Sequence, residues 1–209
     1  MILTQTIYKL IEPQIETKNK EFRYITNEIS WQEYESLLSE LNDSLKFRVI
    51  YLDEILEILS PSRNHESIKS RIGSLLGLYF LISNIDYYPT GSTTFRKEEK
   101  RGGIEADESY CIGSEKEFPD LAIEVVFSSD GIDKLAVYER LGIKEVWFWK
   151  NEQFFVYHLS SNNQLEGKLY YGYELRDKSK LLPNLNIKIL AQCINNPNPL
   201  NGAKEFRNY

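Results

Sequence analysis

Residues 119–149, PDLAIEVVFSSDGIDKLAVYERLGIKEVWFW, constrain the fold more than any other stretch of this chain. Residues 121–127 read as a strand, and residues 130–141 as a helix that Gly142 can end. Residues 144–149 read as a second strand, apolar on both faces as a buried central strand is. Alternate residues of a strand share a face. Leu121, Ile123, Val125 and Phe127 therefore point into a core, while Asp120, Ala122, Glu124 and Val126 point the other way. A glutamate inside an otherwise apolar strand is costly to bury without a partner, and a metal ion or a lysine is the natural one. On strand pattern alone, a wet second face explains Glu124 equally well.

The rest of the chain supplies helices and strands to build around this segment. Residues 1–30 alternate without a clear period and read as an N-terminal arm. Ser30 and Glu33 form a capping-box pattern, and Trp31, Tyr34, Leu37, Leu38 and Leu41 follow at helical spacing. FRVIYLD and EILEILS read as a hairpin. Ser62 or Asn64 can cap a second helix, whose stripe is Ile68, Ile72, Leu75, Leu76 and Tyr79. Strands are expected over residues 87–95, 104–112, 153–159 and 165–175, and a short helix over residues 187–194. One domain, residues 31–195, is expected, followed by a polar, proline-broken tail, residues 196–209, that is mobile or wrapped on the surface.

Composition removes several classes of function. No run approaches the roughly 20 apolar residues of a membrane helix, and the first residues do not read as a signal peptide. The two cysteines, Cys111 and Cys193, lie in no CxxC pair and beside no histidine, which argues against a zinc cage or a disulfide scaffold. A reducing compartment, the cytoplasm, is the expected location. There is no phosphate-binding glycine loop, no dinucleotide fingerprint and no nucleophile elbow. The net charge of −6 argues against strong non-specific binding to nucleic acid, although a local basic face can coexist with an acidic whole. The densest basic group is Arg96, Lys97, Lys100 and Arg101, on a charged tip with Glu98 and Glu99 among them.

Four residues could carry chemistry. Asp107, in GIEADESYCI, precedes the Glu124 strand. If the two strands are neighbours, both carboxylates meet at one end of the sheet, where a hard divalent cation with oxygen ligands would hold them. Lys134 opens the helix that follows Glu124, and Tyr138 lies one turn later on the same face. Glu66 follows His65 in the first turn of the second helix, where the helix dipole favours an acid whatever its function. Taken singly, Asp107, Lys134 and Glu66 read as ordinary solvated residues.

In order and spacing, SPSRNHESIKSRIGSLL, GIEADESYCI, the 119–149 segment and LLPNLNIKIL resemble the Uma-type restriction endonuclease family, a branch of the PD-(D/E)XK nuclease superfamily. The resemblance implies an α/β restriction-endonuclease-like core, a central mixed sheet flanked by helices. It implies metal-dependent hydrolysis of phosphodiester bonds, with Mg²⁺ or another divalent cation such as Mn²⁺ held by Asp107 and Glu124. Ala106 stands where a proline is usual, and valine occupies position 126, where the lysine of the motif falls. Lys134 matches a lysine moved to the following helix, and Glu66 the helical glutamate that completes such sites. Asp120, in the second Pro-Asp pair, is the rival to Asp107. The implied partners are nucleic acid, DNA before RNA, and a second copy of the chain in a homodimer, with no membrane. The alternative is a binding or regulatory module that keeps the fold without turnover.

Overall fold

The computed structural model describes residues 21–41, 47–91, 93–127, 131–160 and 169–209. Along the chain these form β1 (Phe22–Thr26), α1 (Trp31–Leu41), β2 (Arg48–Leu52), β3 (Ile55–Ser60), α2 (Arg63–Ile82), β4 (Tyr87–Pro89) and β5 (Thr94–Lys97). Then come β6 (Gly102–Glu105), β7 (Glu108–Ile112), β8 (Leu121–Val125), α3 (Lys134–Leu141), β9 (Glu145–Lys150) and β10 (Gln153–Leu159). The hairpin β11 (Leu169–Tyr170) and β12 (Tyr173–Arg176) precedes α4 (Ile187–Asn195) and α5 (Pro199–Arg207).

The expected strand, helix and buried strand are β8, α3 and β9. A helical crossover lets two strands run parallel, and β8 and β9 do so, with Glu124 opposite Phe148. They sit inside a mixed seven-stranded sheet of order β11-β12-β10-β9-β8-β7-β4, whose other pairs are antiparallel. A second, antiparallel sheet has the order β1-β3-β2-β6-β5. The mixed α/β sheet with flanking helices is as expected; the second sheet is additional.

Two stretches that read as single strands are each divided between the sheets. Residues 87–95 break after Pro89, with Gly91 at φ 57°, so β4 and β5 lie in different sheets. Residues 104–112 break at Ala106-Asp107, where the chain leaves β6 in one sheet and enters β7 in the other. There the Asp107 side chain, rather than a strand backbone, accepts the Val125 amide at 2.8 Å. That satisfies a ladder donor which the crossing would otherwise leave without a partner.

Three apolar clusters hold the layers together. Leu76 and Phe80 of α2 and Leu190 of α4 pack on Leu121, Ile123 and Trp147 on one face of the seven-stranded sheet. On the other face, Val137 and Tyr138 of α3 pack between Ala122 and Val146 and the second sheet's Ile50 and Ile104. Tyr34 and Leu37 of α1 cover Ile58 of β3. Fully burying one such Leu, Ile or Phe side chain stabilises by about 1.5–3 kcal/mol.

The ends depart from the expected arm and tail. Residues 22–26 are strand β1, paired with β3; residues 1–20 lie outside the described residues. The polar tail contains α5, capped by Asn198 with Pro199 in its first turn, and its Phe206 is buried in the core cluster of α2 and α4. An asparagine before a proline is a helix start, and Gly202, Ala203 and Phe206 seat it on the core. The helix expected from residue 130 begins at Lys134 with Asp133 as its cap; residues 128–130 lie outside the described residues. Of the strand expected over residues 165–175, residues 165–168 lie outside them too. The remainder is a hairpin that turns at Tyr171 and Gly172, both at positive φ. Among the described residues, no helix is long and apolar enough to cross a membrane.

Candidate active site

The two acids singled out from sequence meet where the sheets join. β7 and β8 are antiparallel, with Glu108 opposite Ile123. Asp107, just before β7, accepts the amide of Val125, the residue after Glu124. Asp107 and Glu124 are both buried, at 2% and 1% exposure. Lys134, the first residue of α3, points back over the sheet and donates to Glu124 Oε2 at 2.5 Å. The Tyr138 hydroxyl, one turn on, donates to Glu124 Oε1. Val126, at the usual lysine position, lies beside this pair, its amide bonded to the Trp149 carbonyl.

Further charges close around Asp107. His65, in the first turn of α2, is fully buried and brings Nε2 to 3.1 Å from Asp107 Oδ2. Arg48 of β2 is buried as well. It donates to Glu105 Oε1 at 2.7 Å and to Glu66 Oε1 at 3.4 Å, with Nε 3.7 Å from Asp107 Oδ1. Glu66 reaches the cluster from its edge, its side chain 44% exposed. Asp120 is elsewhere: it accepts from the Ile112 amide and the Lys144 ammonium, each at 2.8 Å, and from Lys116. It pins the β7–β8 connection.

These contacts set the protonation of the cluster. Burial pushes the Asp107 carboxyl up, but His65, Lys134 and the Val125 amide outweigh it and hold Asp107 well below the ordinary carboxylate range. Burial pushes Glu124 up against the pull of Lys134, and Asp107 adds to the push. Burial alone would lower Lys134, yet Glu124 and Asp107 raise it, so it stays charged. His65, which burial would also lower, is raised to about 9 by Asp107 and Glu66. Glu105 is pushed up to about 7, chiefly by burial against the attraction of Arg48 and Lys69.

The donor set fits a hard divalent cation. It is made of carboxylate oxygens, with no thiolate, and protein cations now crowd the acids that such an ion would neutralise. Among the described residues, no three His, Cys, Asp or Glu side chains form a ready-made metal cage. Mg²⁺ does not need one: it is commonly held by one or two carboxylates, with waters and substrate oxygens completing the shell.

Sequence reasoning did not identify Arg48, Glu105 or Glu57. Glu57 sits buried in β3, accepts the Ile132 amide at 2.7 Å and pairs with Arg23 at 3.0 Å. It holds the entry to α3 two residues before Lys134. Gly131, at φ 122°, lets the chain pass close by, because a Cβ there would lie 2.4 Å from Glu57 Oε2. A signal was present: both Arg48 and Glu57 interrupt apolar strand runs, as Glu124 does.

The basic tip is less available than its composition suggests. Arg96 donates to Glu35 at 2.8 Å, and Arg101 to Glu54 at 2.7 Å. The tip also precedes Gly102, the start of β6, which lies roughly 17 Å along the strand from Asp107 at about 3.3 Å per residue.

No curated protein matches the chain. A family model described as "Uma2: Putative restriction endonuclease" matches residues 31–190, most of the chain, and the protein belongs to that family.

Proposed function

We propose that this protein is a divalent-metal-dependent endonuclease that hydrolyses phosphodiester bonds of nucleic acid, DNA before RNA. One observation carries the reading. Asp107 accepts the amide of Val125, the residue after Glu124, and its charge acts on Glu124, while Lys134 is bonded to Glu124 from the helix that follows. Asp107 and Glu124 would hold the cation, with Glu66 reaching the shell through water. A bound Mg²⁺ or Mn²⁺ supplies neutralising charge at the scissile phosphate and acidity for the attacking water.

The chain's own residues do the rest. Lys134 holds its ammonium at Glu124, where an attacking water or a phosphate oxygen needs a fixed positive charge. Tyr138 fixes the second oxygen of Glu124, so that carboxylate keeps one orientation. His65, Lys134 and the Val125 amide keep Asp107 ionised. The Glu57–Ile132 bond sets where α3 begins and therefore where Lys134 stands.

Plasmid DNA incubated with Mg²⁺ or Mn²⁺, and in parallel with a chelator, tests the reading. Metal-dependent nicking that disappears in Glu124→Gln and Lys134→Met supports it. Absence of cleavage of DNA and RNA, with binding retained, would turn the protein into a non-catalytic nucleic-acid module. Hydrolysis of a small chromogenic phosphodiester without any cleavage of nucleic acid would move the substrate to small phosphoesters.

A further inference from the structure

Beside Lys134 lies a cleft of about 560 Å³ whose floor is the seven-stranded sheet. Strand register ties that floor to the site. Glu124 is opposite Phe148 in the β8–β9 pair, and Phe148 is opposite Phe155 in the β9–β10 pair. Opposed residues point to the same face, so Glu124, Phe148 and Phe155 form one row across three adjacent strands. At about 4.8 Å per strand, Phe155 stands roughly 10 Å from the Glu124 strand. Phe148 and Tyr157 meet edge to face at 5.7 Å, which holds the Phe148 ring against the sheet. Among the described residues, Phe155 is half-buried and packs into none of the three core clusters.

The charges around the cleft match an anion carried beside a flat apolar group. Its three acids are occupied: Glu21 and Glu57 both pair with Arg23, Glu57 also accepts the Ile132 amide, and Asp133 caps α3 through the Leu135 amide. Lys134 lines one side, and Lys150, at the end of β9, lines another. A volume of this size falls in the usual range for small-ligand pockets, roughly 300–1,000 Å³, enough for a base with its sugar and phosphate.

We infer that this cleft receives one unpaired nucleotide of the substrate strand, its base stacked on Phe155 and Phe148 and its phosphate facing Lys150 and Lys134. The inference rests on the nuclease reading and sharpens it. A base inside a duplex cannot reach such a floor without leaving its stack, so the preferred substrates are single strands and duplexes with an unpaired nucleotide.

The test uses the full chain, with chelator present so that nothing is cut. A single-stranded DNA, a duplex with one bulged nucleotide and a fully paired duplex each carry 2-aminopurine at the same position. Stacking should quench the fluorophore in the first two, and both should bind more tightly than the paired duplex. Phe155→Leu keeps apolar bulk but removes the stacking plane. It should lower the ratio of single-strand to duplex affinity by about tenfold, as loss of one base–aromatic stack does, and Phe155→Tyr should restore it. A ratio unchanged in Phe155→Leu, paired duplex bound as tightly as single strand, or no binding of any probe would overturn the inference. Failure of the nuclease reading looks different. A wild-type protein that quenches the probe through Phe155 but cuts nothing with Mg²⁺ or Mn²⁺ keeps the cleft and loses the activity. One that cuts paired duplex equally with and without Phe155 keeps the activity and loses the cleft.

Discussion

Glu124 and Glu145 lie on neighbouring parallel strands of one sheet, both buried to within 1% exposure, and they are held in opposite ways. Glu145 pairs in register with Leu121 and so faces the α2 and α4 side. Its partners are the Trp147 indole at 2.7 Å, the Lys180 amide at 2.9 Å, the Ser179 hydroxyl and the His158 ring at 3.2 Å. Burial keeps His158 below its ordinary pKa, outweighing the pull of Glu145, so this is a network of mostly neutral donors wrapped around one acid. Glu124 faces the other way, towards α3. Its partners are an ammonium and a phenol, and the charge of a second carboxylate, Asp107, acts on it. A buried acid satisfied by fixed neutral dipoles ties down structure. A buried acid near another acid, with only titratable partners, has its charge held ready for something that binds.

That difference is easiest to break with Glu145→Ala. It removes the acceptor of several buried donors at once and should cost roughly 3–5 kcal/mol, read as a lower denaturation midpoint. Whatever fraction remains folded should still cleave. If Glu145→Ala instead stops cleavage in a protein of unchanged stability, the division into a structural and a functional glutamate is wrong.

Glu124→Gln gives the reverse pattern. Cleavage should fall about 10²–10³-fold, as for loss of one preorganised charge contact, whereas the melting temperature should move little because the relieved repulsion between carboxylates offsets the lost ion pair with Lys134. A large loss of stability with cleavage intact would place Glu124 beside Glu145 as scaffold.

Metal should report on Glu124 and Asp107 together in the absence of any substrate. At 100 times its dissociation constant, a cation bound only by the folded state stabilises it by about 2.7 kcal/mol. Calorimetry with Mg²⁺ or Mn²⁺ should show that gain in the wild type and lose most of it in Glu124→Gln and Asp107→Asn. Equal stabilisation of all three proteins would remove both residues from the metal shell.

The smallest effect is expected at Glu57, whose role combines the two patterns. Glu57→Ala leaves the Ile132 amide and Arg23 without their acceptor, a loss of about 1–3 kcal/mol. The loop before Lys134 should loosen, lowering turnover more than substrate affinity. An intact rate would show that α3 keeps Lys134 in place unaided.

The sequence by itself determined the elements whose causes are local. Ser30 and Glu33 form their reciprocal cap, with the Ser30 amide donating to Glu33 at 2.8 Å. Ser62 caps α2, and Gly142 ends α3 at φ 73°. The two-residue alternation of β8 placed Glu124 on the face away from Leu121 and Ile123. Order and spacing pointed to the family and to the pairing of β7 with β8, because strands close in sequence commonly pair. Only the tertiary structure decided the rest. Arg48 finds Glu105 across 57 positions, and Glu57 finds the Ile132 amide across 75. Neither pairing has a period or a spacing that could announce it. Residues 104–112 look like one strand because both halves alternate correctly, yet the chain changes sheets at Asp107. Periodicity records which face of a strand is buried. It does not record which partner covers that face, and at this junction the partners supply the charges that surround the two acids.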